Sequence, residues 1–163
     1  MKNTIFLSLF LFLIAMVNTS SVTDYMGEPY GAYRPVFMKR ADLENSVSYR
    51  DGRALAHPGK IYSRAPYIYV NERYKGVHVI NNSDPAHPVN EGFIVAPGCI
   101  DMAVKGDIMY LDNSVDLVAF DLVSKKVTKR VKNVFPEPVA PDHSYYWRIY
   151  DQDLVLVEWV KNK

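Results

Sequence analysis

Three five-residue segments constrain this chain more than any other feature: Val77-His78-Val79-Ile80-Asn81, Leu117-Val118-Ala119-Phe120-Asp121 and Leu154-Val155-Leu156-Val157-Glu158. Apart from His78, each is apolar for four residues and then stops on an amide or a carboxylate. They begin 40 and then 37 positions apart. A short apolar run bounded by turn formers reads as a strand buried on both faces. Its return near every 40 residues points to a repeated supersecondary unit that cannot bury its faces alone.

The flanking sequence fills out that unit. Strands are expected over 60–63, 67–70, 77–80 and 91–95, separated by Arg64-Ala65-Pro66, by Asn71 to Gly76, and by the turn-rich Asn82 to Pro88. The order repeats over 100–104, 108–111, 117–120 and 127–134, with Met109-Tyr110-Leu111 aligning with Ile68-Tyr69-Val70. The lysines and arginines of the last strand suit an exposed outer edge, where charge discourages pairing with other chains. A stiff connector, Pro136 to Pro141, leads to a final hairpin in which Tyr145 to Tyr150 and Leu154 to Val160 flank Asp151-Gln152-Asp153. Four strands in about 40 residues is the content of a β-propeller blade. The expected fold is therefore all-β: propeller-like repeat sheets, two full blades and a partial one. The twelve tyrosines agree, since tyrosine fits half-buried pleated surfaces.

The N-terminal third reads differently. Lys2 precedes an apolar run from Ile5 to Val17, interrupted only by Ser8. That run is short for a ~30 Å hydrocarbon core and has the length of a secretory h-region. Residues 1–20 are expected to be a signal peptide, with cleavage near Thr19 to Ser21, so the protein is expected to be exported to periplasm, cell surface or medium. Residues 21–57 form a lead-in and capping segment, and 58–163 the repeat domain. Within the lead-in, Pro35 to Met38 is a strand or docking segment. Ala41 to Val47 is a short helix with acids in its first turn and Leu43 and Val47 on one face. A lone cysteine, Cys99, closes no intrachain disulfide and reads as a small buried hydrophobe.

Composition narrows the partners. A formal charge of +1 offers no field for nucleic acid. His57, His78, His87 and His143 lack zinc spacing, and no G-x-S-x-G occurs. The run Asp112 to Asp116 supplies several oxygens in one loop but not the spacing or bidentate glutamate of an EF-hand, and turn-forming carboxylates explain it equally. No catalytic residue, metal ligand or cofactor is expected. Glu72, Arg73, Tyr74 and Lys75, in a charged aromatic loop between strands, are the candidate binding residues, together with Asp112 and Asp116.

The segments VHVIN, LVAFD and LVLVE resemble copies of the LVIVD repeat. So do the longer blocks YRPVFMKRADLENSV (Tyr33 to Val47), PGKIY (Pro58 to Tyr62), YKGVHVINNSDPAHP (Tyr74 to Pro88) and PGCIDMAVKGD (Pro97 to Asp107). Over about Tyr33 to Trp159 the chain resembles bacterial cell-envelope proteins carrying such repeats. The resemblance implies an exported, propeller-like domain and brings no catalytic residues with it. Two departures stand out: no lipobox cysteine follows the apolar run, and the repeats number two and a half. The expected function is a non-catalytic binding or scaffolding module of the envelope. Its expected partners are an envelope protein or glycan, with membrane contact only through the signal segment, and self-association into a homodimer. The alternative is a small glycan-acting hydrolase using loop carboxylates, which would need clustered, partly buried acids in one cleft.

Overall fold

The computed structural model describes residues 31–144 and 153–162. The expected signal segment, lead-in residues 21–30 and the expected strand Tyr145 to Tyr150 with the start of its turn lie outside the described residues. In chain order the elements are β1 (Tyr33–Lys39), α1 (Arg40–Glu44), β2 (Ser48–Arg50), β3 (Pro58–Arg64), β4 (Tyr67–Glu72), β5 (Gly76–Asn81), β6 (Val89–Val95), β7 (Met102–Lys105), β8 (Ile108–Asn113), β9 (Asp116–Asp121), β10 (Lys126–Val131) and β11 (Leu154–Lys161).

The fold is all-β apart from one short helix. It comprises three antiparallel sheets, none closed among the described residues: β2-β6-β5-β4-β3, β10-β9-β8-β7 and the ribbon β1-β11. Strand pairing crosses position 57 twice, because β2 pairs with β6 and β1 with β11. The expected internal alignment is matched in register. Tyr69 faces Val79 and Val70 faces His78 in the first sheet, as Tyr110 faces Ala119 and Leu111 faces Val118 in the second.

The main core is the seam between the first two sheets. Tyr69, Val77, Val79 and Ile94 pack against Met102, Val104, Met109, Leu111, Val118 and Phe120. The sheets stack in one sense: the face carrying Tyr69 meets the opposite face of the next sheet, the one carrying Met109 rather than Tyr110. The other face of the first sheet is covered by residues 51–57. There the Arg53 guanidinium lies 3.6 Å from the centre of the Phe93 ring, and Asn90 Nδ2 donates to Arg53 O at 2.7 Å. Gly52 passes so close that an added Cβ would stand 2.1 Å from Asn90 O.

Several expected elements shift, each for a visible reason. Leu117 to Phe120 is not buried on both faces. β9 alternates between buried Val118 and Phe120 and half-buried Leu117 and Ala119, whereas β5 and β11 bury consecutive residues on both faces. The helix stops at Glu44, short of Val47, because the Asn45 and Ser46 side chains donate to the carbonyls of Ala41 and Leu43. Leu43 then enters the ribbon's cluster while Val47 packs on the seam, so they do not share a face. The strand expected from Ile100 begins at Met102, since the Asp112 carboxylate takes the N–H groups of Ile100 and Asp101. β10 ends at Val131 rather than Val134, because the N–H groups of Val134 and Phe135 turn to Val115 O. Its lysine-rich sequence lies, as expected, on an exposed edge.

Candidate binding cleft where three sheets meet

β4 turns into β5 through Arg73-Tyr74-Lys75, and this tip is held by the segment leaving β6. Tyr74 N–H donates to Cys99 O at 2.7 Å, Gly98 N–H to Tyr74 O at 3.0 Å, and Ala96 N–H to Lys75 O at 2.9 Å. Tyr74 sits at φ +64°, a conformation that costs a bulky residue on the order of 1–3 kcal/mol. The surrounding bonds hold it there. Part of this clasp recurs one unit on, where Ser114 has φ +59° and Val134 N–H donates to Val115 O at 2.8 Å, as Ala96 N–H does to Lys75 O.

The tip forms one wall of a cleft of about 580 Å³, with the start of β3 and the ribbon supplying the others. Tyr33, Tyr74 and Trp159 contribute rings, and Arg73, Lys75 and Lys161 contribute cations. Tyr74 packs against the cluster of Ala140, Leu156 and Trp159, joined by Tyr33 and Phe37. Trp159 Nε1 donates to Pro138 O at 2.9 Å, so the indole N–H is already used. Burial raises the Tyr74 hydroxyl above its ordinary value, with Glu158 and Tyr33 adding to the shift and Arg73 opposing it. Lys75 Nζ pairs with Glu158 Oε2 at 2.5 Å. Arg73 and Lys161 are exposed and have no carboxylate partner among the described residues.

The other candidates from the sequence lie elsewhere. Glu72 is not an exposed loop group: it ends β4, buried, and accepts from His57 N at 3.1 Å and Ala56 N at 3.3 Å, with His78 Nε2 at 2.6 Å. Burial pushes its carboxyl up, yet the bonds from His78 and the two backbone groups outweigh this and leave it below the ordinary value. Asp116 is likewise buried. Arg40 grips it at 2.9 and 2.8 Å, Arg130 at 2.7 Å and Asn133 N at 3.0 Å. Burial alone would raise its carboxyl; the Asn133 N–H and the two guanidinium groups lower it. Glu44 extends this network to Arg40 and Lys132, docking α1 on the second sheet. Asp112 is half-buried, and burial raises its carboxyl because the N–H groups of Asp101 and Ile100 offset it only in part. It lines a separate groove of about 510 Å³ with Ile100, Tyr110, Phe135 and Val139.

Arg73, Tyr74 and Lys75 are thus brought together, while Glu72, Asp112 and Asp116 are not part of their cleft. Tyr33, Glu158, Trp159 and Lys161 also line it and were not binding candidates from the sequence, and His57, which lines it too, was weighed there only as a metal ligand. No family model, curated protein or solved structure matches this chain. The chemistry of the cleft therefore stands on its residues alone: aromatic faces beside two cations that have no carboxylate partner among the described residues, suited to holding a ligand by stacking and charge. Among the described residues no group of three or more His, Cys, Asp or Glu side chains is placed to hold a metal ion. Cys99 is buried in the seam, and burial drives its thiol well above the ordinary value, away from the reactive thiolate.

Proposed function

We propose that this chain is an exported, non-catalytic binding and scaffolding module of the bacterial cell envelope, built from LVIVD-type, propeller-like repeat sheets. The three-sheet cleft is its ligand site. The observation that carries the reading is the repeated stacking plan: two sheets with matching register and matching hairpin clasps, packed in one sense. Repeats of this kind supply rigid edges from which turn residues reach a ligand. The commitment of Glu72 and Asp116 to internal donors weighs against the glycan-hydrolase alternative, because neither is free to serve as acid or base.

The same plan leaves the Tyr110 face of the second sheet, equivalent to the seam face of the first, with exposed Ile100, Tyr110, Phe135 and Val139 at its groove. We include in the proposal that a second copy covers this face, since one-sense stacking continues by adding another sheet. Light scattering across a dilution series tests it, and a monomer at every concentration overturns it. For the module itself, the purified chain is expected to co-sediment with envelope fragments without releasing reducing ends from them. Failure to co-sediment, or release of sugar, overturns the reading.

A further inference from the structure

We propose that the three-sheet cleft binds an acidic saccharide, one whose carboxylates lie along a chain of pyranose rings. This rests on the reading of the chain as a binding module and names the ligand class for that site.

Charge is the first ground. The single carboxylate in the cleft wall, Glu158, is neutralised by Lys75, while Arg73 and Lys161 carry no partner among the described residues. Two positive charges are left facing one cleft of a protein whose formal net charge is only +1. Arg73 suits a carboxylate especially, because a guanidinium presents two parallel donors to its two oxygens. Lys161, contributed by the ribbon, acts as a more adaptable point charge.

The rings are the second ground. Tyr33 and Tyr74 are half-buried, so each is fixed in place and still presents surface. Aromatic faces of this kind stack on the C–H faces of a sugar ring, as they do on other apolar surfaces. Tyr74 is held in its unfavourable backbone conformation by two bonds with the segment 98–99, and a third holds Lys75 to Ala96, which fixes the ring at the cleft.

The third ground is what the lining presents: the cations of Arg73, Lys75 and Lys161 beside the rings of Tyr33, Tyr74 and Trp159, with Pro58 and Pro141 giving no N–H to an added strand at those two positions.

Isothermal titration of the purified chain with an oligogalacturonate trimer tests this, using its methyl ester and a phosphate-bearing polyol oligomer as controls. The trimer is expected to bind, and the methyl ester to bind roughly tenfold or more weakly, since it keeps the rings and loses the charge. Arg73→Glu combined with Lys161→Glu is expected to abolish trimer binding. Both positions are exposed, so the double variant is expected to keep the wild-type melt, and the milder pair Arg73→Gln and Lys161→Gln serves where it does not. Equal binding of trimer and ester, tighter binding of the phosphate oligomer, or unchanged binding by both variants overturns the assignment. A chain that co-sediments with envelope fragments yet ignores the trimer loses only this inference. A chain that does neither loses the module reading as well.

Discussion

Glu72 closes β4 in the first sheet, and Asp112 stands one register position earlier in β8 of the second. Each accepts two backbone N–H groups from the chain entering its own sheet: Ala56 and His57 in one case, Ile100 and Asp101 in the other. The two carboxyls nevertheless shift in opposite directions, Glu72 below its ordinary value and Asp112 above. The difference is the cross-strand neighbour. His78 adds a bond to Glu72, whereas the residues on Asp112's face of the neighbouring strand, Leu117 and Ala119, are apolar, and no cation reaches Asp112 among the described residues. Equal counts of backbone donors thus do not fix a carboxyl's ionisation: burial raises both, and the bond from His78 helps bring Glu72 below its ordinary value. A second contrast lies at the hairpin exit. The first sheet places Gly76 there, at φ +140°, with Ile94 O so close that a Cβ would stand 1.9 Å away. The second places Asp116 there and uses it to anchor Arg40 and Arg130.

These contrasts can be broken at graded cost. Phe120→Asp strikes the seam that both sheets share and places an unpaired carboxylate where the phenyl ring is wholly buried. It is expected to cost on the order of 5 kcal/mol in urea melts. A loss near zero would mean that the sheets do not meet at this face. Asp116→Ala strikes the second sheet and the docking of α1 on it. It leaves two partly buried guanidinium groups without their anion, at about 3 kcal/mol or more, and the Arg40→Met, Asp116→Leu, Arg130→Met triple variant should recover much of that.

The carboxylate pair gives the sharpest test. Glu72→Gln turns an amide donor towards groups that also donate and is expected to cost about 1–3 kcal/mol. Asp112→Asn keeps an oxygen for Ile100 and Asp101 and is expected to be neutral within about 1 kcal/mol. Their pH responses have opposite signs. The folded value of Glu72 is depressed below 4.5, so its contribution is complete above that value and is lost as pH falls through the folded value. The folded value of Asp112 is raised above 3.8, so ionising it costs stability, and that cost disappears as pH falls through the raised value. Urea midpoints measured from about pH 3 to 7 should show a shallower acid loss for Glu72→Gln and a steeper one for Asp112→Asn. If both variants follow the parent, His78 does not distinguish the two sites. Lys129→Asp, on the exposed edge strand β10, is expected to change stability by under about 1 kcal/mol in the same melts.

What the sequence made legible was local. Apolar runs, prolines and glycines marked the hairpins of the first two sheets, and the alignment of Ile68-Tyr69-Val70 with Met109-Tyr110-Leu111 is kept in the registers. Long-range partners left no such trace. Nothing near Tyr33 points to Lys161, and nothing near Asp116 points to Arg40, 76 positions away. Glu72 read as a loop charge because it stands beside Arg73, Tyr74 and Lys75, yet its partners bury it. The cleft was half visible for the same reason: its turn residues are contiguous, while Tyr33, Trp159 and Lys161 arrive from both ends of the described chain.

The ribbon sets an order of events. Tyr33 lies opposite Lys161 and Lys39 opposite Leu154, and Asn162 Nδ2 reaches Gly31 O across 131 positions. Hairpins such as β4–β5 and β8–β9 close loops of a few residues and form early, whereas a pairing this distant waits for nearly the whole chain and pays the larger closure entropy. One wall of the cleft carries Glu158, Trp159 and Lys161, so it exists only once β1 and β11 have met. The cleft thus depends on residues from both ends of the described chain: a chain cut before Leu154 retains the residues of both larger sheets and lacks the Glu158, Trp159 and Lys161 wall.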